Sequence, residues 1–290
     1  MEKILITGST GMLGRYVCQF AMEAGLNIFT PKRDQFDISN SSLMESYIDN
    51  LQPTAILHLA AETNVDLCER DPRHAGLYNH IATETIARKA RQYNAWMLYI
   101  STSNVFGAEG KPYYNELDIP HSVNYYGRSK FHGENALRTW CGRNSMVIRA
   151  GWMIGGGVQH DHKFVGKIVQ QVRDGVSDIR SVTDKYGTIT NALKLARFIV
   201  RSLEERRLGT YHYTSSGLVN RFEIAREIAE VLSFKGTVSP VVSAEFPLSA
   251  PRPSFEGIES IYLPNEDSEW KPRYWREDLR EYLKEFSDRD

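Results

Sequence analysis

Over its first half the chain alternates short runs of apolar side chains with longer stretches in which apolar positions recur every three or four residues. The runs suit strands buried on both faces and the stretches suit amphipathic helices, which together write a doubly wound parallel α/β sheet. Strands are predicted at Lys3 to Thr7, Leu26 to Thr30, Thr54 to Leu59, Trp96 to Ser101 and Ser145 to Arg149. Helices are predicted near Met12 to Ala24, Ser41 to Asn50, Asp71 to Tyr93 and Asn124 to Gly142. Right-handed crossovers leave such a sheet open, with a crevice beyond the carboxyl ends of its strands. Chemistry is therefore expected just after strand ends.

Past Arg149 the alternation breaks. The glycine run Gly155-Gly156-Gly157, with His160, Asp161 and His162, reads as a loop over the crevice, either a substrate lid or a flexible connection. Helices follow near Lys163 to Asp174, Asn191 to Glu204 and Arg221 to Leu232, with a strand-like GTYHYT between the last two. The proline-spaced segment from Pro240 to Pro253 is expected to be largely extended. Arg276 to Phe286 places Leu279, Tyr282, Leu283 and Phe286 on one stripe, which is expected to dock on its own domain in preference to a dimer contact.

Composition narrows the class. A chain of 290 residues has room for a large core, and a net charge of -1 without a basic stripe argues against nucleic acid as a partner. No apolar run approaches the roughly 18 residues needed to span a bilayer. The start MEKILITG turns into glycine after one short apolar run, which reads as a first strand rather than a signal peptide, so the cytoplasm is the expected location. Cys18, Cys68 and Cys141 are widely spaced, with no CxxC pair and no histidine at zinc-ligand spacing. They read as reduced packing residues, and no metal site is expected.

Three local patterns carry chemistry. Gly8, Gly11 and Gly14 in TGSTGMLG lie between the first strand and the helix near Met12, where small residues let backbone N–H groups approach a pyrophosphate. Where the second strand ends, Lys32 and Arg33 replace the acid that often binds an adenosine ribose; two cations suit a 2′-phosphate, which points to NADPH, with NADH possible, the other reading being solvated loop charges with Asp34 supplying some ribose contact. Tyr126 and Lys130 stand one turn apart on one helix face. A free tyrosine has a pKa of about 10, so proton exchange near neutrality calls for a shift of roughly three units, or about 4 kcal/mol. A cation beside the phenolate supplies much of it. Thr102 ends the strand YIST, where its hydroxyl can bond a carbonyl oxygen as charge develops. Arg149 and Trp152, at and just past the fifth strand, are crevice candidates, the other readings being an arginine satisfied by backbone carbonyls and a packing tryptophan.

Through these residues the chain resembles the extended short-chain dehydrogenase/reductase family over nearly its whole length. The resemblance is carried by TGSTGMLG, Asp37-Ile38, HLAAETNVDLCERDP, the Asn79 region, STSNVFG and YGRSK with Gly133-Glu134. Within that family it is most similar to the dTDP-4-dehydrorhamnose reductases, through Val65-Asp66 and Glu69, VIRAGWMIGGG, Lys163-Phe164, DKYGTIT, GTYHYTSSG and Arg252-Pro253. The resemblance implies a Rossmann-type NAD(P)-binding domain over 1–150, receiving a returning segment near 186–213, and a smaller substrate-binding α/β region over 151–185 and 214–290. It implies that Gly8, Thr10, Gly11, Met12, Leu13, Gly14, Lys32, Arg33, Asp37, Ile38, Leu59, Ala60, Ala61 and Lys130 hold the cofactor. Thr102, Tyr126 and Lys130 would be the catalytic set. Thr63, Val65, Thr102, Ser103, Asn104, Tyr126, Trp152 and Arg252 would meet a nucleotide-activated 4-keto-6-deoxy sugar. A homodimer is implied as well.

Sugar-nucleotide dehydratases typically show Asp-Glu right after the catalytic Thr, and Ser103 and Asn104 cannot supply that acid and base. Two alternatives stay open beside the reductase: an epimerase with tightly bound NAD, and a non-catalytic regulatory protein of this fold. Lys185, Ile189 and Ser254 depart from the reductase pattern where the nucleotide sugar should sit, and His58 is more typical of the epimerase branch, or a core strand residue.

Overall fold

The computed structural model describes residues 2–265 and 269–287. Six parallel strands form the central sheet: β1 (Ile4–Thr7), β2 (Ile28–Phe29), β3 (Ala55–His58), β4 (Trp96–Thr102), β5 (Ser145–Ala150) and β6 (Gly209–Tyr213). Their spatial order is β6-β5-β4-β3-β1-β2. The GTYHYT segment thus returns from the second half of the chain to complete the sheet beside β5, in the register Gly209↔Met146 to Tyr213↔Ala150. At the opposite edge β2 is shorter than its predicted span from Leu26 to Thr30, and its two residues are only half-buried.

Alternation sorts the strand residues onto two apolar layers. Ile4, Ile6, Ala55, Leu57, Leu98, Met146 and Ile148 face helices α1 (Met12–Glu23) and, from further along the chain, Ala192–Glu205. Leu5, Ile56, Met97, Tyr99 and Val147 face the other side, under α2 (Ser41–Leu51), α3 (Ala82–Gln92) and α4 (Tyr125–Cys141). Each such fully buried aliphatic side chain stabilises the fold by about 1.5–3 kcal/mol relative to exposure.

The helix predicted from Asp71 to Tyr93 is interrupted. Asp71 caps Pro72–Gly76, the chain widens into a π turn over Leu77–Ile81, and α3 resumes at Ala82. The π turn delivers Asn79, whose Oδ1 accepts from the Glu62 N–H while its Nδ2 donates to the Glu62 carbonyl and to Ser129 Oγ. A short helix, Val65–Arg70, also lies where none was predicted. Both features hold the segment after β3 in place along the crevice.

A second layer packs α5 (Phe164–Arg173), α7 (Arg221–Val231) and α8 (Trp275–Ser287) around Ile179, Ile189 and Val219, with α6 being Ala192–Glu205. The stripe Leu279, Tyr282, Leu283 and Phe286 is buried in this layer, against its own chain. Within the segment from Pro240 to Pro253, the strand Thr237–Val241 runs into a 3-10 turn over Ser243–Glu245, which interrupts the extended course expected there. The glycine run is fastened: Tyr282 Oη donates to the Gly155 carbonyl and to Asp161 Oδ2, and the Gly156 N–H donates to Tyr16 Oη. No helix among the described residues is long and apolar enough to cross a membrane. The three cysteines are free thiols.

Candidate functional site

At the end of β1 the chain turns through Gly8 at φ +71°, and a Cβ there would lie 2.7 Å from the Ala60 nitrogen. A Cβ on Gly14 would lie 2.1 Å from the Gly8 carbonyl oxygen, so helix and turn approach more closely than any side chain allows. Helix α1 starts at Gly11 without a side-chain cap. Its first-turn N–H groups and positive helix end therefore face the crevice, a donor set that fits a dinucleotide pyrophosphate. Ala60 and Ala61 pass opposite, with the Ala60 N–H donating to Thr7 Oγ1 at 3.2 Å. Beyond β2, exposed Arg33 pairs with Asp37 at 3.2 Å, and Asp37 Oδ1 accepts from the Ser39 N–H and hydroxyl. These bonds hold the Asp37 carboxyl below its ordinary range. Lys32 and Ile38 stand beside them on the same wall.

His58 lies between Thr7 Oγ1 (2.8 Å) and Thr83 Oγ1 (3.2 Å), and burial, helped by the Lys130 charge, pushes its pKa down to about 3. It is a neutral core residue.

The candidate catalytic groups meet where β4 ends. Thr102 is 8% exposed, Tyr126 9% and Lys130 2%. The Asn124 side chain starts α4 by accepting the Gly127 N–H at 2.9 Å, which puts Tyr126 and Lys130 on the turns nearest the sheet. The Asn104 N–H donates to Thr102 Oγ1 at 3.2 Å, and the Thr102 hydroxyl favours the ionised form of the neighbouring Tyr126 phenol. Lys130 Nζ sits 4.0 Å from the centre of the Tyr99 ring.

The electrostatics differ from the sequence expectation that Lys130 lowers the phenol. Burial dominates both groups: it pushes Tyr126 well above the ordinary tyrosine value, opposed by the Thr102 hydrogen bond, and pushes Lys130 down to about 7. In a dry pocket desolvation is the largest effect on both groups. Tyr126 is thus a phenol that keeps its proton at neutral pH.

One turn after Lys130, buried Glu134 braces the site. It accepts from Ser101 Oγ (2.6 Å), from Arg149 Nε (2.9 Å) and Nη2 (2.7 Å), and from Arg138 Nη2 (2.7 Å). Arg149 is therefore a core ion-pair residue and does not reach the crevice, which corrects its reading as a crevice candidate.

A single cleft of about 1020 Å³ runs from the glycine turn past Thr102, Tyr126 and Lys130 to Trp152 and Arg252. Thr10, Met12, Leu13, Leu59, Thr63, Val65 and Asn104 also line it. Ser103 is the exception among the expected residues: it does not itself line the cleft, and its hydroxyl donates at 3.0 Å to Oε2 of Glu256, which does. Arg252 is held at the rim by Asp66 Oδ2, 2.8 Å away, and Lys185 Nζ donates to its carbonyl oxygen at 2.9 Å. Ile189 is buried in the second layer.

Sequence reasoning quoted Lys163 without giving it a role, and missed Arg221 and Glu256 on this wall as well as Glu62 and His74, which are paired at 3.0 Å. Arg221 opens α7 and reads as a solvated helix end, yet its guanidinium stacks on Trp152 at 3.9 Å and on Phe164 at 4.7 Å. Glu256 follows the prolines in a stretch without periodicity, so only its nearness to Arg252-Pro253 hinted at it. Among the described residues no group of three or more His, Cys, Asp or Glu is arranged to hold a metal ion.

Comparison with known proteins gives concordant results. The sequence profile of the RmlD substrate binding domain matches residues 1–288. A crystal structure of a dTDP-4-dehydrorhamnose reductase from Yersinia enterocolitica is 52% identical, with a TM-score of 0.96 over 99% of this chain and 100% of that one. A dTDP-4-dehydrorhamnose reductase from Bacillus anthracis, crystallised in complex with NADP, is 27% identical with a TM-score of 0.90 over 98% of this chain and 99% of that one. The spore coat polysaccharide biosynthesis protein SpsK of Bacillus subtilis is 30% identical over 99% of each chain.

Proposed function

The chain belongs to the RmlD substrate binding domain family, and from that premise we propose that it is an NADPH-dependent dTDP-4-dehydrorhamnose reductase. The observation that carries the reading is the meeting of Thr102, Tyr126 and Lys130 midway along one cleft, between a glycine turn fit for a dinucleotide and a wall fit for a sugar.

The first turn of α1, with Lys32 and Arg33, would hold NADPH, which when bound would supply the hydride for the carbonyl carbon. The Tyr126 phenol gives its proton to the carbonyl oxygen, and the Thr102 hydroxyl bonds the same oxygen as negative charge builds on it. Lys130, buried beside them, favours the phenolate that remains once the proton has left. The Asn79 clamp on Glu62 and the Glu134 brace keep both walls in register. Trp152, with Arg221 stacked on its ring, stands on the sugar side of the cleft, and the cationic Arg221 and Arg252 suit the diphosphate. A homodimer in the cytoplasm belongs to the same proposal, and sedimentation equilibrium tests its oligomeric part.

The deciding assay follows absorbance at 340 nm with NADPH or NADH and dTDP-4-dehydrorhamnose. Tyr126→Phe is expected to lower kcat by about 10²–10⁴ with KM little changed, since it removes only the proton donor. If NADPH is not consumed and bound NAD accompanies epimerisation of the sugar, the reductase reading fails.

A further inference from the structure

We propose that Glu256 reads the sugar: its carboxylate accepts the hydroxyl on the ring carbon next to the reacting carbonyl, so the cleft selects substrates that carry a free hydroxyl there. The proposal rests on the reductase reading for the identity of the ring.

Glu256 lies 6% exposed on the wall of the cleft, just before the two-residue strand Gly257–Ile258 that pairs with Tyr113–Tyr114. Its Oε2 accepts from Ser103 Oγ at 3.0 Å and from Asn104 Nδ2 at 2.5 Å, and its Oε1 accepts from Trp152 Nε1 at 2.8 Å. All three protein partners are donors. A carboxylate oxygen has two acceptor positions, so Oε2 is filled and Oε1 keeps one. Any group that uses it must bring a hydrogen of its own.

Position selects which one. Ser103 and Asn104 directly follow Thr102, so the carboxylate they hold stands beside the place where Thr102 and Tyr126 meet the carbonyl oxygen. Its charge is near enough to contribute to raising the Tyr126 phenol. In a 4-keto-6-deoxyhexose the two carbons flanking the carbonyl are C5, which bears the methyl group and the ring oxygen, and C3, which bears a hydroxyl. Only C3 offers a donor.

The local electrostatics favour the same occupant. Burial raises the Glu256 pKa, opposed by its bonds to Trp152 and Ser103 and by the charges of Arg221 and Arg252. Arg221 makes no ion pair among the described residues and spreads its charge over the Trp152 face, so the carboxylate is countered without a direct partner that would fill Oε1. Dehydratases place acid groups directly after the catalytic Thr; here residues 103 and 104 instead grip a carboxylate brought from 153 residues further along the chain.

The test compares a dTDP-4-keto-6-deoxy sugar with its 3-deoxy analogue by NADPH consumption on wild type, Glu256→Gln and Glu256→Ala, each checked for native circular dichroism. Wild type is expected to favour the 3-hydroxy sugar by about 10- to 100-fold in kcat/KM, the range of one hydrogen bond to a charged group. In the variants that preference should shrink below about threefold, because the loss falls on the 3-hydroxy sugar alone. Equal losses for both sugars would mark Glu256 as merely structural and overturn the assignment. If neither variant folds, the wild-type ratio decides, with equal rates overturning the assignment. Wild type that consumes NADPH with neither sugar would instead overturn the reductase reading.

Discussion

Replacing Arg149 with methionine isolates the brace behind the active site. Arg149 and Glu134 are buried, at 2% and 0% exposure, and the guanidinium supplies two of the four hydrogen bonds that the carboxylate accepts. Removing one member of a buried pair strands the other charge, at a cost of about 3–5 kcal/mol. Arg138 remains on Glu134 Oε2 but is 40% exposed on its side chain, so we expect the low end, about 3 kcal/mol. Against a total stability on the order of 5–15 kcal/mol, that is a large fraction. With an m value of about 3 kcal/mol per molar urea, the midpoint moves down by about 1 M. The measurement is urea unfolding followed by both near- and far-UV circular dichroism, whose coincidence justifies a two-state reading.

Acid gives the same argument a second handle. In wild type desolvation is the largest single effect on Glu134, yet the bonds from Arg149 and the charges of Arg149 and Arg138 together outweigh it and hold the carboxyl below the ordinary value. That contribution is present above the unfolded carboxylate pKa and is lost as pH falls through the folded one. In the variant the same carboxyl is raised, so protonating it relieves the penalty. The gap between the two proteins should narrow from pH 7 toward pH 4. A loss below 1 kcal/mol at pH 7, or a gap that widens in acid, refutes the reasoning.

Three further outcomes are expected. Burial holds Lys130 down to about 7, so between that pH and about 10 the unfolded chain binds a proton the folded one does not, and stability rises with pH; Lys130→Met should flatten this part of a pH series of urea melts, and an unchanged slope speaks against it. Gly14→Ala, whose Cβ meets the Gly8 carbonyl oxygen at 2.1 Å, should weaken NADPH binding by tenfold or more in a fluorescence titration, whereas Gly25→Ala, at φ +70° with nothing within 4 Å, should cost about 1 kcal/mol of stability and leave binding intact. Replacing Lys32 and Arg33 together with alanine should raise the Kd for NADPH by about tenfold or more while leaving that for NADH within twofold, as expected for lost charged hydrogen bonds; equal effects on both cofactors would remove the 2′-phosphate assignment.

What the sequence disclosed and what it withheld follow a physical line. β1, β3, β4 and β5 were legible because each is a run of apolar residues with both faces covered, and α1 and α4 because their periodicity and their glycine or asparagine starts agree. Thr102, Tyr126 and Lys130 were legible because their spacing is local: a strand end and one helical turn. The π turn at Leu77–Ile81 was not, since the surrounding pattern is helical and only the tertiary demand of Asn79 for Glu62 and Ser129 widens it. The three-residue strand Trp152–Ile154 exists through its pairing with Ile189–Asn191, and so leaves no periodic trace. Glu256 and Arg221 reach the cleft by long-range packing, while Arg149 looked like a crevice residue because its partner Glu134 lies on a different element. The pKa reversal at Tyr126 and Lys130 has the same origin, since dryness is a property of the assembled pocket.

The return of β6 to the sheet also sets a schedule for synthesis. Every residue of Ser145–Ala150 is buried in the finished protein, yet the neighbour that covers its outer edge comes 63 residues later, where His212 lies beside Arg149. At roughly 5–20 residues per second on a ribosome, that edge waits on the order of seconds with its hydrogen-bonding groups open. The half of the molecule that could receive a dinucleotide is thus the half most exposed to wrong pairing during translation, and a chain halted before Gly209 would carry most of that fold with an adhesive margin.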